Sequence, residues 1–234
     1  MSEKDCMKTK IPAVQRIDKV LLTDVIAKVN HMNSASEADQ AEMAIPSYLN
    51  KNRLVRSIFW RRYDQVLKLS NLNDNMTVCE FGCGIGVFLP TLSKSVAKTY
   101  AVDLFPQYGH ELARELNLDV EFSTSLDTIP DNSLDILFAV EVLEHLDDLK
   151  TGLGIIFRKL KPGGKLIMSG PTESTLYKIG RFIVGYNKYH DYHRNNVYTL
   201  CQSILANAFE LEKTVYFPNR LILLNLICLF RVNK

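Results

Sequence analysis

The feature that most restricts the fold of this 234-residue chain is a change of rhythm at Thr77. From there, short apolar runs alternate with segments of helical periodicity: T-V-C-E-F (77 to 81), K-T-Y-A-V (98 to 102), V-E-F (120 to 122), L-D-I-L-F-A (134 to 139) and G-K-L-I-M-S (164 to 169). Strands separated by helices are βαβ units, and their crossovers enforce a parallel sheet with helices on both faces. The last two runs, F-E-L-E-K-T-V-Y-F (209 to 217) and L-I-C-L-F-R-V (226 to 232), lie close together with Pro218 and Asn219 between them. They are expected to form an antiparallel hairpin at the sheet edge. The expected fold is therefore α/β: a Rossmann-like, doubly wound, mostly parallel seven-stranded sheet with an antiparallel C-terminal hairpin.

Ahead of Thr77 the pattern is helical, with Val14, Ile17, Val20, Leu21, Val25 and Val29 on one stripe and Leu54, Val55, Ile58, Phe59, Val66 and Leu69 on another. The polar stretch from Asn33 to Glu42 between them reads as a linker or mobile loop. This divides the chain into an N-terminal helical extension or lid, residues 1–76, and a main domain, residues 77–234.

Composition removes several classes. A net charge of +2 is too small to argue for nucleic acid on electrostatic grounds. Cys6, Cys79, Cys83, Cys201 and Cys228 are odd in number and contain no C-x-x-C pair, so neither a disulfide framework nor a zinc finger is written here, and a reducing cytoplasm is the natural setting. The longest apolar run, Leu221 to Phe230, is interrupted by Asn225 and is roughly half the ~20 residues a membrane-crossing helix needs. A core strand with a short helix is the expectation there, and peripheral contact with a membrane surface is the alternative.

E-F-G-C-G-I-G, from Glu80 to Gly86, follows the first strand and precedes a helical stretch starting near Val87. Glycines at 82, 84 and 86 let the chain turn sharply and let backbone approach a ligand where a Cβ would clash. The second strand ends about 20 residues later at Asp103, where a carboxylate can accept both hydroxyls of a ribose. A dinucleotide would also satisfy that spacing. Glu80 decides between the two, because it would repel a pyrophosphate and attract the ammonium of a methionine moiety.

These motifs, together with I-P-D-N-S-L-D-I-L-F-A-V-E-V-L-E-H-L (129 to 146) and L-K-P-G-G-K-L-I-M-S (160 to 169), resemble the class I S-adenosylmethionine-dependent methyltransferases from Thr77 to the C-terminus. The resemblance implies S-adenosylmethionine as methyl donor, held by Glu80, Gly82, Cys83, Gly84 and Gly86, with Asp103 on the ribose and Leu104 beside the adenine. It also implies that the loop at Ser125, Leu126 and Asp127 reaches the adenine edge, and that Glu141 borders the donor.

Methyl transfer from a sulfonium needs orientation and deprotonation of the acceptor more than covalent help. If a helical turn begins after strand four, Glu141, Glu144 and His145 fall at i, i+3 and i+4 and share a face. The arrangement E-x-x-E-H, followed some fifty residues later by His190, resembles metal-assisted O-methyltransferases acting on quinone precursors and on small-RNA termini. That resemblance implies a divalent cation on Glu141, Glu144, His145 and His190; the metal-free alternative makes His145 or His190 the base, and a purely structural role stays open. No N-P-P-Y-like tetrapeptide follows strand four and no Pro-Cys pair is present, so oxygen is the expected acceptor atom, on a small or lipid-like molecule. Lys51, Arg53, Arg56, Arg61 and Arg62 read first as a solvated helix face, and second as a lid toward a donor carboxylate or an anionic acceptor. Two rivals to the enzyme reading are a catalytically silent module that retains the donor site and a nicotinamide-dependent oxidoreductase.

Overall fold

The computed structural model describes residues 13–175 and 195–234. Four helices precede the sheet: α1 (Lys19–Asn33), α2 (Glu37–Glu42), α3 (Ile45–Tyr48) and α4 (Arg53–Ser70). Then come β1 (Thr77–Phe81), α5 (Leu89–Leu92), β2 (Lys98–Val102), α6 (Gln107–Glu115), β3 (Glu121–Ser123), β4 (Leu134–Val140), α7 (Leu149–Lys159) and β5 (Leu160–Pro171). The described chain closes with α8 (Val197–Leu205), β6 (Phe209–Pro218) and β7 (Leu223–Val232).

The seven strands form one sheet in the order β3-β2-β1-β4-β5-β7-β6. β1 to β5 pair in parallel, and β7 runs antiparallel to both β5 and β6. Because β1 pairs with β2 on one side and β4 on the other, the winding reverses between β1 and β4, and the crevice outside their C-terminal ends is where such sheets take ligands.

Side-chain alternation sorts the core into two layers. Val78, Ile136, Phe138, Ile167, Ile227 and Leu229 face a cluster shared with Leu22 and Val25 of α1 and Tyr63 and Val66 of α4. Cys79, Leu137, Ala139, Met168, Cys228 and Phe230 face the opposite cluster, closed by Leu153 and Ile156 of α7 and Leu200 and Ile204 of α8. β7 is an interior strand buried on both faces, which is why its sequence is almost continuously apolar instead of alternating. The last apolar run is thus a strand without the expected short helix; only Leu221 and Ile222, in the turn before β7, stand exposed. Among the described residues no helix is long and apolar enough to cross a membrane.

The stretch expected to be a linker contains α2. Ser36 caps it: its hydroxyl accepts from the Asp39 N–H, and the Asp39 carboxylate accepts from the Ser36 N–H. This reciprocal capping offsets a polar composition that otherwise reads as loop. The helix expected near Val87 begins at Leu89 and makes a single turn. The residues ahead of β1 are bonded to the elements that flank the glycine loop. Ala35 N–H donates to the Tyr108 hydroxyl at 3.1 Å, that hydroxyl donates to Asn30 Oδ1 at 2.6 Å, and Gln15 N–H donates to Thr91 Oγ1 at 2.9 Å.

Candidate donor and acceptor site

At the end of β1 the chain turns away in a loop whose three glycines all have positive φ: 73° at Gly82, 51° at Gly84 and 76° at Gly86. An L side chain is strained in this region, and at Gly82 there is also no room for one, since an added Cβ would lie 2.5 Å from Val142 Cγ2. Gly82 and Cys83 N–H groups donate to the Val102 carbonyl at 2.8 and 3.3 Å, which ties the loop to the end of β2. Cys83 turns its buried side chain toward Gly109 of α6, so its contribution to the loop's ligand face is backbone. Met43, between α2 and α3, lies over Gly84, which places the N-terminal helices above the loop.

Asp103 follows β2 directly. One oxygen accepts from the Gly84 N–H at 2.7 Å and the other from the Phe105 N–H at 2.8 Å. These bonds aim the carboxylate across the mouth of the glycine loop and leave lone pairs for a diol. Leu104 beside it is 79% exposed, an apolar surface at that mouth. Glu80, on the α4 face of β1, is buried; Oε1 has a 3.5 Å contact with the Tyr63 hydroxyl and Oε2 has no hydrogen-bond partner. Burial, and after it the charge of Asp103, pushes its carboxyl well above the usual carboxylate range, against the Tyr63 hydrogen bond. A buried acid with an unmatched oxygen at the foot of a glycine cradle fits a cationic ligand group, which would return it to the ionised form.

The adenine-side expectation meets side chains that are engaged elsewhere. Ser125 caps a 3-10 turn over Leu126–Thr128; Leu126 is buried in the layer shared with α7, and Asp127 pairs with Arg158 at 2.9 Å.

After β4 the expected helical turn does not form as the i, i+3, i+4 spacing requires. Glu141 has φ 56°, outside any right-handed helix, and a 3-10 turn spans only Leu143–His145. Glu141 is instead held from three directions: the Ser169 hydroxyl donates to Oε1 at 2.6 Å, the Asn225 side-chain amide donates to Oε2 at 2.8 Å, and Arg62 Nη1 lies 3.4 Å from Oε2. Arg62 is buried, a correction to the solvated-face reading for this one member of the basic helix. Burial works against its charge, but Glu141, with Tyr48 and Tyr63, more than offsets that and keeps the guanidinium firmly protonated.

Glu144 is fully buried and neither of its oxygens has a hydrogen-bond partner. Burial first, and the Glu141 charge second, lift its carboxyl well above the ordinary range. His145 is half-buried at the end of the turn, its N–H bonded to the Val142 carbonyl at 3.1 Å. His190 lies outside the described residues. Among the described residues no three His, Cys, Asp or Glu side chains are grouped to hold a metal ion.

Ser169 and Asn225 were not singled out as site residues from sequence. Asn225 had left a signal, since it is the polar residue that breaks the apolar run from Leu221 to Phe230.

A sheet wound in this order carries a glycine loop and the Asp103 carboxylate together at its switch point, the position where sheets of this kind take ligands. The family described as methyltransferase domain matches residues 53–210, and the chain belongs to the class I S-adenosylmethionine-dependent methyltransferases. Among its relatives is a ubiquinone biosynthesis O-methyltransferase from a Bradyrhizobium species, 26% identical over an alignment of 156 positions that covers 62% of this chain and 60% of that protein. The mitochondrial ubiquinone biosynthesis O-methyltransferase of Schizosaccharomyces pombe is 23% identical over an alignment of 164 positions that covers 64% of this chain and 60% of its own. The matched part therefore spans about 60% of the length of these relatives. Among solved structures, the N-methyltransferase NodS of Bradyrhizobium japonicum in complex with S-adenosyl-l-homocysteine superposes with a TM-score of 0.63 over 85% of this chain and all of its own, at 19% identity.

Proposed function

We propose that the protein transfers the methyl group of S-adenosylmethionine to a hydroxyl oxygen of a small or lipid-like acceptor. The observation that carries the donor half is the conjunction of Glu80 Oε2, buried without a partner, with Asp103 bonded to Gly84 across a loop of three positive-φ glycines. Glu80 would meet the methionine ammonium and Asp103 the ribose diol; the donor, when bound, supplies an activated methyl for in-line displacement. Two curated relatives are O-methyltransferases by name, which supports oxygen as acceptor atom. Leu221 and Ile222, exposed beside Arg220 at the same sheet edge as Pro171 and Asn225, favour an acceptor with apolar character.

The chain's own task is then to orient the acceptor and take its proton. His145, at the end of the strand-four turn, is proposed as the base, with an imidazole nitrogen receiving the hydroxyl proton as the methyl is transferred. The cation-assisted route through Glu141, Glu144, His145 and His190 fits less well, because the Arg62 guanidinium, 3.4 Å from Glu141 Oε2, already supplies a positive charge there and would repel a cation. Calorimetric titration with S-adenosyl-l-homocysteine and with NAD, followed by methyl-transfer assays on hydroxylated aromatic acceptors with and without EDTA, tests the reading. Binding of the homocysteine product and turnover that survives EDTA are expected. Binding of NAD alone would overturn the donor, and turnover lost to EDTA with donor affinity intact would restore the cation.

A further inference from the structure

We infer that Asn225, acting with Ser169 on Glu141, is a positioning residue for the donor loop. This inference rests on the donor reading of Gly82–Gly86. Asn225 is buried at 6% exposure in β7, an interior strand whose neighbours Leu226, Ile227, Cys228, Leu229 and Phe230 are all buried and apolar. A buried side-chain amide without partners is destabilising, so its presence there needs an explanation in hydrogen bonds. The register supplies it. Asn225 stands opposite Pro171 and Ser169 opposite Val140, so both come to the sheet's C-terminal edge, and alternation turns both to the face covered by α4.

There the Asn225 amide and the Ser169 hydroxyl each take one oxygen of Glu141, at 2.8 and 2.6 Å, and Arg62 of α4 adds its charge. The residue they grip has a left-handed backbone, φ 56°, and its N–H donates to the Ser169 carbonyl at 3.1 Å. A non-glycine residue in that conformation is strained, and a carboxylate held from two strands and a helix is what keeps it there. The next residue, Val142, stands so close to Gly82 that a Cβ on the glycine would sit 2.5 Å from it. The grip on Glu141 therefore fixes the wall against which the glycine loop is shaped, and the edge hairpin becomes part of the donor site without touching the donor.

The test uses the full-length protein, with S-adenosyl-l-homocysteine as the titrated probe. Asn225→Leu keeps the branched shape of the side chain and removes its donor, so the Kd for the probe and the KM for S-adenosylmethionine should rise about tenfold; kcat at saturating donor should hold. Ser169→Ala should act the same way through the other oxygen and serves if the first variant folds poorly. In a Val142→Ala background the extra effect of Asn225→Leu should largely vanish, because the grip acts through that side chain. Wild-type protein that binds no probe removes the donor reading and the inference with it. Wild-type binding that both variants match, whatever their melting temperatures, overturns the inference alone.

Discussion

On the donor side of the sheet edge, Gly82, Gly84 and Gly86 lie within five residues, and Asp103 reaches Gly84 from 19 positions away. On the strand-four side, Arg62, Glu141, Ser169 and Asn225 converge from α4, the end of β4, β5 and β7, with 84 positions between the amide and the carboxylate it bonds. The first half is satisfied by backbone: glycine conformations and N–H groups set its shape. The second is satisfied by side chains and holds two buried groups, Arg62 and Glu144, in close company with the half-buried Glu141. A loop shaped by its own backbone thus leans on a polar cluster assembled from distant elements, which meets it where Val142 stands against Gly82.

The largest effect expected from breaking this division is on the strand-four side. His145→Ala should lower kcat by roughly 10² to 10⁴-fold, the loss typical of a missing proton acceptor, with S-adenosyl-l-homocysteine affinity unchanged in calorimetry. A variant that lost donor affinity in step with turnover would join the two halves into one site. On the donor side, Gly82→Ala should cost more than about 100-fold in donor affinity, since both the φ of 73° and the 2.5 Å approach to Val142 oppose any Cβ. Asp103→Ala should cost roughly 10 to 100-fold, on the scale of one or two hydrogen bonds to a charged group, and unchanged affinity would remove the ribose assignment.

The same division explains what the sequence made legible. β1 to β7 fall within a few residues of the apolar runs because strand burial writes itself into every second or every residue, and the glycine motif lies between a strand and a helix that can both be read locally. The start of β5 at Leu160, ahead of the run at 164, follows pairing with β4 around an irregular register that no periodicity reports. α2 was hidden because a capping box stabilises a helix through polar residues. Arg62 was hidden for the opposite reason: a basic residue among five on one helix is buried only because Glu141, 79 positions on, arrives to pair with it. Glu141 in turn escaped the helical spacing because its carboxylate, gripped from β5 and β7, supports a left-handed backbone. Pairings between distant elements leave no period in the chain, and Asn225 was visible only as an interruption of one.

The smallest effect, and the one that sharpens the comparison most, concerns stability. Glu80 is the buried acid on the donor side, and burial with the nearby Asp103 charge raises its folded pKa above the ordinary 4.5. An acid with a raised folded pKa binds its proton more tightly in the folded state, so its contribution is most favourable below pH 4.5 and is lost progressively as pH rises through the folded value. In the unliganded protein, Glu80→Gln should therefore leave the melting temperature near pH 4 almost unchanged, raise it at pH 8, and flatten the decline between them. The same substitution removes the charge proposed to meet the donor ammonium, so S-adenosyl-l-homocysteine affinity at pH 8 should fall as stability rises. A melting temperature that drops at pH 8 would mean that the carboxylate is matched in the unliganded fold, and Glu80 would then belong with Glu141 as a structural anion.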